Sequence, residues 1–320
     1  MLFWQVSEAN GMASIVLVTG SSGMIGTALC EKLLEKGFEV IGVDLMPNRW
    51  SQPVNKKTIL VDLRNANELK RLSENPVFQK PDFFVHLAAN PYVFNSVQNP
   101  LLAVDNVLMT MNCLEFCREN AISRFLFASS REIYGNVKKK SLREPDFRLE
   151  NVESPYAASK VAGESFVRAY HKCFGIDFEM MRFSNVYGRY DLSDRLLPRL
   201  FRKNRDNEDF VVFGEEKALS FTYLDDVVEG ILLGIRLFEK AKNREYNIAF
   251  PKATRIVDVV KLLQKKMASK NKIIVGKTRI GEVENFCPDI SLARNVLGFN
   301  PKIGIEEGLE KALEWYSKHS

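Results

Sequence analysis

The sequence predicts an α/β protein with a doubly wound parallel sheet and a smaller C-terminal α/β lobe. From Ile15 the 320-residue chain alternates short apolar, β-rich runs with longer helical patterns, which is typical of βαβ units that build a parallel sheet. The runs are nearly all apolar, as in IVLVT and FLFAS, which indicates strands that helices cover on both faces. After about Gly188 the regular alternation weakens, so we expect the smaller lobe to begin there.

Each element is predicted from its own residue pattern. Apolar runs predict strands at 15–19, 38–43, 58–61, 82–87, 123–128 and 176–182. Helical patterns between these strands cover 24–36, 66–74, 98–119 and 155–173. Gly37 follows the first helix in the usual C-terminal position. In the smaller lobe, helical patterns lie near 193–203, 224–239, 255–268 and 305–318.

Two closely joined units follow from this pattern. Residues 15–188 are expected to form a dinucleotide-binding domain, and residues 189–320 a substrate-binding lobe that interleaves with it. No Gly/Ser linker separates the halves and no internal repeat is visible, so we expect a cleft between tightly joined lobes. Residues 1–14 are expected to be a loose extension.

Composition and charge argue against several classes of function. Lys and Arg number 45 against 40 Asp and Glu, a net charge of +5 without a long basic run, so no nucleic-acid partner is expected. The start of the chain lacks the basic region and long apolar stretch of a signal peptide. No run approaches the ~18 apolar residues that a membrane span needs. We therefore expect a cytoplasmic protein with no membrane partner.

The cysteines predict neither a disulfide framework nor a metal site. Five scattered cysteines fit thiols that are kept reduced in a cytosol. Cys113 and Cys117 lie four residues apart, but the three histidines offer no zinc-binding spacing around them. No metal ion is expected.

A glycine-rich loop follows the first predicted strand. Gly20 allows a tight turn, Gly23 lets a pyrophosphate approach the backbone, and Gly26 permits close packing of helix against sheet. The loop opens a helix, whose free N–H groups and dipole attract an anion. This strand–loop–helix context predicts dinucleotide binding by a Rossmann-type domain.

Carboxylates at strand ends indicate which dinucleotide is bound. Asp44 ends the second strand, close to the ~20-residue offset at which a carboxylate binds the adenosine ribose. A negative charge there repels a 2′-phosphate and favours NAD over NADP. Arg49 is either an exposed loop cation or a group that weakens this preference. Asp62 and Leu63 are either an edge of the adenine site or an ordinary strand end.

Catalytic chemistry is predicted at the start of helix 155–173. Tyr156 and Lys160 lie one turn apart on one face of it. A phenol with a pKa of ~10 is a poor base near neutral pH, and a neighbouring ammonium favours its phenolate. Tyr156 could then accept a hydroxyl proton while hydride leaves the same carbon. Ser130 ends the strand 123–128 at the carboxyl edge of the sheet, where it could hydrogen-bond the same oxygen.

Several motifs together resemble a known family. In chain order they are TGSSGMIG (19–26), HLAA (86–89), SSREIYG (129–135), SPYAASK (154–160), RFSNVYGR (182–189), FTYLDD (221–226), YNIA (246–249) and LGFNPKIGIEEGL (297–309). The set resembles the extended short-chain dehydrogenase/reductase superfamily, in its nucleotide-sugar epimerase and dehydratase branch, which UDP-glucose 4-epimerase typifies. The similarity runs from about Ile15 to Tyr316.

The resemblance implies roles for individual residues. The implied catalytic residues are Ser130, Tyr156 and Lys160. The implied contacts to NAD are Gly20, Gly23, Met24, Ile25, Gly26, Asp44, Asp62, Leu63, Ala88, Tyr156 and Lys160. The implied contacts to a nucleotide-diphosphate sugar are Ser130, Glu132, Asn185 and Arg279, the last two at its diphosphate.

Two departures from the family pattern concern the substrate site. Leu219 stands where family members typically carry an arginine, so one diphosphate cation is missing. Either Lys217 replaces it or the nucleotide is held differently. The sugar 4,6-dehydratases have Thr-Asp-Glu where this chain has Ser130, Arg131 and Glu132. Because Arg131 cannot give a proton to a leaving hydroxyl, dehydration is disfavoured, while a decarboxylase-like use of Glu132 remains open.

We therefore expect an NAD-dependent nucleotide-diphosphosugar 4-epimerase. In this reading Tyr156 takes the proton of the C4 hydroxyl, NAD takes the C4 hydride, and the 4-keto sugar turns over before hydride returns. A nucleotide-sugar decarboxylase, dehydratase or reductase would use the same first oxidation, and a noncatalytic NAD-binding protein is a further alternative. The predicted helix 98–119 is apolar over more than one face, so a homodimer is also expected.

Overall fold

A computed structural model describes residues 13–75 and 78–319 of the chain. The loose extension expected at 1–14 lies outside the described residues except for its last two positions. Within the described part, a seven-stranded sheet and a smaller lobe face each other across a deep cleft.

The central sheet is entirely parallel and has the strand order β3-β2-β1-β4-β5-β6-β10. Its strands are β1 (Ile15–Thr19), β2 (Glu39–Asp44), β3 (Thr58–Leu60), β4 (Phe83–His86), β5 (Arg124–Ser130), β6 (Asp177–Phe183) and β10 (Arg244–Ile248). The strand order reverses between β1 and β4, and ligands of such sheets bind beyond the carboxyl ends of the strands at that point. The predicted doubly wound parallel sheet is thus confirmed.

Helices cover both faces of this sheet. They are α1 (Met24–Glu35), α2 (Gln52–Asn55), α3 (Ala66–Glu74), α4 (Val93–Gln98), α5 (Leu101–Glu119), α6 (Pro155–Phe174), α8 (Leu224–Ala241) and α10 (Ser291–Leu297). Val16 and Val18 of β1 pack on the face that α1, α8 and α10 cover. Leu17 packs on the other face, with α3, α5 and α6. Because successive strand residues point to opposite faces, a strand covered on both sides is expected to be largely apolar.

The helix expected at 98–119 begins at Leu101 as α5, and a separate short helix, α4, precedes it at Val93–Gln98. Asn99 leaves the helical conformation, with φ −134° and ψ 89°, and Pro100 follows it. A proline disfavours the helical conformation for the residue before it, which explains the break between α4 and α5. The short helix α4 is thereby placed at the cleft, where Phe94 is one of the lining residues.

The smaller lobe has its own apolar core. Its elements are β7 (Asn185–Tyr187), β8 (Phe210–Phe213), β9 (Ala218–Tyr223), β11 (Ala253–Arg255), β12 (Ile273–Gly276), β13 (Asn285–Phe286), α7 (Leu196–Arg205), α9 (Ile256–Lys266) and α11 (Ile305–His319). Strand β9 pairs with β7, β11 and β13, and β8 pairs with β12. Leu200, Phe210, Val259 and Tyr316 are buried together between these strands and helices.

The second half of the chain also completes the central sheet. Strand β10 pairs with β6 along its whole length, and α8 packs against α1. Helix α10 packs on α8 and β10. Along the chain these segments lie between elements of the smaller lobe, so the chain passes between the two units more than once.

A buried carboxyl group lies between β6 and α8. Glu179 is fully buried, and neither of its carboxylate oxygens has a hydrogen-bond partner among the described residues. Helix α8 passes this close because residue 234 is glycine, where a Cβ would overlap the Glu179 carboxylate. Burial raises the pKa of Glu179 to about 8. The folded protein therefore keeps this carboxyl protonated at neutral pH.

Replacing Glu179 by glutamine should stabilise the protein more at about pH 7.5 than at about pH 5. Well below the ordinary glutamate pKa both states are protonated and the substitution changes little. As the pH rises toward the folded-state pKa of about 8, the unfolded chain ionises first, so wild-type stability falls. The loss is up to ~1.4 kcal/mol per pH unit, so the stabilisation by Glu179→Gln should grow by about 3 kcal/mol over this range.

Urea unfolding at both pH values measures this difference. Glu229→Gln, on the exposed side of α8, is the matched control and should show no such pH dependence. An equal effect of Glu179→Gln at the two pH values would contradict the assignment of an ionisation penalty to this residue.

Candidate active site

A cleft of about 1420 Å³ opens beyond the carboxyl ends of the central strands. Both units line it: the loops after β1, β2, β4 and β5 on one side, and residues of α7, β8 and β9 on the other. All residues that the sequence assigned to catalysis, to the cofactor or to the substrate line this one cleft. The structure therefore brings together groups that lie as far apart along the chain as Gly20 and Arg279.

The glycine loop is shaped by close backbone contacts. Gly20 has a φ of +73°, and a Cβ there would lie 2.9 Å from the backbone nitrogen of Ala88. At Gly26 a Cβ would overlap the carbonyl oxygen of Gly20. Gly23 directly precedes α1, whose first residues, Met24 and Ile25, line the cleft. Since the first N–H groups of a helix have no partner within the helix, this end of the cleft offers donors to an anion.

The carboxylate of Asp44 is held at the end of β2. One of its oxygens accepts a hydrogen bond from Ser22 N–H at 2.9 Å, and the other accepts one from Met46 N–H at 3.0 Å. These two bonds leave further lone pairs of the carboxylate available to a hydroxyl ligand. Both neighbours belong to loops of the cleft, so the carboxylate stands at its rim.

The strand end at Asp62 differs from that at Asp44. Arg64 pairs with Asp62 at 2.6 Å and also reaches Asp105 at 3.4 Å. Leu63 and Ala88 line the same cleft. Asp62 is therefore already neutralised by a neighbouring cation, whereas within 13–75 and 78–319 the carboxylate of Asp44 has hydrogen bonds from backbone N–H groups alone.

The three residues expected to be catalytic lie close together. Ser130 ends β5, and its hydroxyl accepts a hydrogen bond from Glu132 N–H at 3.2 Å. Tyr156 stands in the first turn of α6, where Ser154 caps the helix by accepting from Ala157 N–H at 3.1 Å. Lys160, one turn further, lies 5.9 Å from the centre of the Tyr156 ring.

Burial and neighbouring groups set the proton affinities of this set. Burial raises the pKa of Tyr156, while a hydrogen bond with Ser130 and the positive charge of Arg195 oppose that rise. Burial lowers the pKa of Lys160 to about 8. The ammonium of Lys160 donates a hydrogen bond to the carbonyl oxygen of Ala128 at 2.9 Å, which fixes its position beneath the tyrosine.

A buried polar network that the sequence analysis missed lies behind the catalytic set. Arg182 of β6 pairs with Glu164 of α6 through two hydrogen bonds of 2.8 and 2.9 Å. Glu164 also accepts from the hydroxyl of Ser129 at 2.6 Å, and Arg182 donates to the hydroxyl of Tyr134 at 3.0 Å. The network ties α6 to β5 and β6, so it orients the helix that carries Tyr156.

The residues after Ser130 form a charged pair instead of an acid dyad. Arg131 and Glu132 are both buried and pair at 2.6 Å. Arg131 also donates to the side-chain oxygen of Asn185 at 3.3 Å. Three polar atoms of this group have no partner among the described residues: Arg131 Nη1, Glu132 Oε2 and Asn185 Nδ2. Burial raises the pKa of Glu132.

The two cations expected near a substrate diphosphate already share an ion pair with one carboxylate of the protein. Lys217 is buried and pairs with Glu282 at 2.7 Å. Arg279 pairs with the same carboxylate, and its guanidinium lies 4.5 Å from the ring centre of Phe94 and 4.7 Å from that of Phe213. These two rings come from opposite sides of the cleft, so Arg279 bridges its mouth.

Helix α7 contributes cations that the sequence analysis did not single out. Arg195 and Arg199 both line the cleft, one turn apart. Their Arg-x-x-x-Arg spacing at the start of an amphipathic helix is the signal that could have identified them.

Two searches of the described residues gave negative results. Within 13–75 and 78–319, no group of three or more His, Cys, Asp or Glu side chains is arranged to hold a metal ion. Among those same residues, no helix is long and apolar enough to cross a membrane.

The chain resembles known proteins over nearly its whole length. The sequence profile of the NAD-dependent epimerase/dehydratase family matches residues 16–249. A Methanocaldococcus jannaschii protein, assigned provisionally as a UDP-glucose 4-epimerase, is 31% identical over 96% of this chain and 99% of its own.

Solved structures extend the likeness to the fold. Thermotoga maritima UDP-glucose 4-epimerase with UDP-glucose has a TM-score of 0.87 at 27% identity, covering 95% of this chain and 99% of that one. Bacillus cereus UDP-glucuronic acid 4-epimerase in complex with UDP-glucuronic acid and NAD has a TM-score of 0.86 at 26% identity, with coverages of 95% and 99%. With this fold, this cleft and a profile match over most of its length, the chain belongs to the NAD-dependent epimerase/dehydratase family.

Proposed function

We propose that the protein is an NAD-dependent nucleotide-diphosphosugar 4-epimerase. The observation that carries this proposal is the convergence of Ser130, Tyr156 and Lys160 at the cleft that also contains the glycine loop. The names of its structural relatives, 4-epimerases of UDP-glucose and of UDP-glucuronic acid, support a sugar nucleotide as substrate. Membership of an enzyme family weighs against the noncatalytic alternative.

The residues of the glycine loop fit NAD. The backbone turns tightly at Gly20 and packs closely at Gly26, and Gly23, which has no side chain, lets a pyrophosphate approach the first turn of α1. The Asp44 carboxylate, whose hydrogen bonds among the described residues come from backbone N–H groups, fits two ribose hydroxyls and disfavours a 2′-phosphate. Bound NAD supplies a hydride acceptor that later returns the hydride.

The protein's own residues handle the proton of the C4 hydroxyl. The phenolic oxygen of Tyr156 takes this proton as the C4 carbon is oxidised and gives it back when the carbon is reduced. The Ser130 hydroxyl hydrogen-bonds the same substrate oxygen. The ammonium of Lys160 favours the phenolate that this role requires, since an opposite charge nearby lowers the pKa of a phenol. The buried position of all three keeps water away from the reacting atoms.

Replacing Tyr156 by phenylalanine should reduce turnover by about 100-fold or more, because general acid–base groups contribute ~10²- to 10⁴-fold. The measurement is epimer interconversion, followed by chromatography and NMR, over a panel of UDP-, GDP-, dTDP- and CDP-linked hexoses and hexuronates. NAD retained by the purified variant should be unchanged, because the hydroxyl and not the ring is removed.

Tyr170→Phe is the matched control for this substitution. Tyr170 lies on the same helix and outside the residues that line the cleft, so its loss should leave turnover within about 3-fold. Full activity of Tyr156→Phe would sink the assignment of the base. A wild-type protein inert toward every sugar nucleotide of the panel would sink the proposed function itself.

Glu132 supports a second candidate, in which the 4-keto sugar is diverted to decarboxylation or elimination. Its carboxylate lies beside Ser130 in a buried setting, and Oε2 has no partner among the described residues. Burial raises the pKa of Glu132, which suits a group that exchanges protons near neutral pH. Arg131 neutralises it in the structure, and this pairing favours the epimerase over the second candidate.

The mass of the product separates the two candidates. An epimerase gives a product of unchanged mass, and Glu132→Gln should retain at least about a tenth of its turnover, since no proton transfer depends on this side chain. Loss of carbon dioxide from a hexuronate, or of water from a hexose, would establish the second candidate. In that case Glu132→Gln should stop the reaction after the first oxidation.

We also propose that the protein is a homodimer joined through α5. Leu101, Val104 and Leu108 follow helical spacing along one side of α5 and are 69%, 57% and 42% exposed. An exposed apolar stripe on a helix is typical of a helix-to-helix interface between two copies.

Replacing Val104 by glutamate should convert the dimer to a monomer, because a charge would be buried at the interface. Light scattering at micromolar concentration measures the mass. Ile274→Glu, at an exposed apolar position of β12, is the control and should leave the mass unchanged. A wild-type monomer would contradict the proposed dimer.

A further inference from the structure

Positive side chains on the substrate side of the cleft differ in how they are compensated. Arg131 is paired with Glu132, and Lys217 and Arg279 share the carboxylate of Glu282. Because the single carboxylate of Glu282 pairs with both Lys217 and Arg279, these three side chains together carry one net positive charge. An anionic group of a ligand would be attracted to this part of the cleft.

Lys217 is poorly placed to take over the role of a missing arginine. Its ammonium is buried and lies 2.7 Å from Glu282, so a second anion would compete with an existing ion pair. Burial lowers the pKa of Lys217, which weakens it further as a fixed positive charge. Position 219 itself carries a buried leucine that lines the cleft without charge.

Arg199 is a further cation on this side of the cleft, close enough to Arg279 and Glu282 to interact with their charges. It lines the cleft from α7, and its guanidinium forms no ion pair among the described residues. Its Nε is buried without a hydrogen-bond partner. The neighbouring acid Asp194 also lines the cleft, but it is already paired at 3.1 Å with Arg202, which does not line it. Burial lowers the pKa of Arg199; the charge of Asp194 opposes this effect, that of Arg279 adds to it, and that of Glu282 opposes it. Because Arg199 is half-buried and has no ion pair among the described residues, the anionic group of a ligand would be attracted to it.

We propose that Arg199 is the diphosphate-binding cation that replaces the arginine absent at position 219. With Arg279 it would hold the two phosphates of the substrate from α7 on one side and from the loop after β12 on the other. A guanidinium suits this role because its planar donors can bind phosphate oxygens in pairs. The inference rests on the proposed function, since it assigns a residue to that substrate's diphosphate.

Binding of UDP and of uridine to the NAD-loaded protein tests this assignment. Calorimetric titration of Arg199→Met should show UDP binding weakened by about 10- to 100-fold, the effect expected for losing hydrogen bonds to a charged group. Uridine, which has no phosphates, should bind the variant and the wild type alike. A merely structural role of Arg199 would weaken both ligands together.

Lys203→Met is the matched control for this titration. It removes one positive charge from the same helix, one turn further on, where Lys203 pairs with Glu208 at 2.7 Å and does not line the cleft. UDP affinity should stay within about 2-fold of the wild type, because Lys203 does not line the cleft and its charge is compensated by Glu208 and screened by solvent.

A second substitution tests the relocation of the charge. Leu219→Arg in the Arg199→Met background should regain at least about 5-fold in UDP affinity, because it returns a guanidinium to the cleft. Unchanged UDP binding by Arg199→Met, an equal loss for UDP and uridine, or no gain from Leu219→Arg would each overturn the inference while leaving the proposed function standing. Failure of UDP, CDP, GDP and dTDP all to bind the wild type would instead count against the proposed function.

Discussion

The buried ion pair between Arg182 and Glu164 is the interaction on which the catalytic arrangement depends. Removing one member of such a pair leaves an unpaired charge in the interior, at a cost of ~3–5 kcal/mol. Here the pair also connects three elements, because Ser129 of β5 donates to Glu164 of α6 and Arg182 belongs to β6. Since α6 carries the proposed base and its ammonium partner, its position over the sheet decides whether the two face the cleft. Two short hydrogen bonds between charged, planar groups give this packing a defined direction that apolar contacts alone do not provide.

Close packing has different effects in the two halves of the cleft. In the glycine loop it determines the shape of the backbone, because the space around Gly20 excludes side chains and peptide N–H groups are the available donors. At the catalytic residues, burial changes proton affinities, since it raises the pKa of Tyr156 and lowers that of Lys160. Both shifts disfavour ionised groups in the interior, so neighbouring charges and hydrogen bonds decide which group is ionised. A ligand that enters the cleft and excludes water would strengthen these neighbouring interactions further.

The substrate side shows how a family pattern can change without loss of the fold. Leucine at position 219 fits the apolar surroundings of β9, and Lys217 forms an ion pair with Glu282. The charge requirement of a bound diphosphate can then be met from another element, because a guanidinium on α7 reaches the same cleft as one on β9. Arg131 illustrates the same point, since it stands where related dehydratases carry an acid but is neutralised by the next residue. Fold and catalytic set can therefore be retained while the contacts that select the substrate are rearranged.

The sequence by itself determined the features whose physical cause is local. A strand, three glycines and a helix must be consecutive to make the phosphate loop, and Tyr156 and Lys160 share a face because they lie one helical turn apart. Strands covered on both faces are largely apolar, so the residue pattern also predicted the parallel sheet. Only the tertiary structure decided the contacts between distant segments. Glu164 meets Ser129, 35 residues away, and Lys217 meets Glu282, 65 residues away, through packing that no periodic pattern encodes. The sequence also did not predict that β10 returns to the central sheet or that Arg199 lines the cleft. Each depends on which elements become neighbours in space.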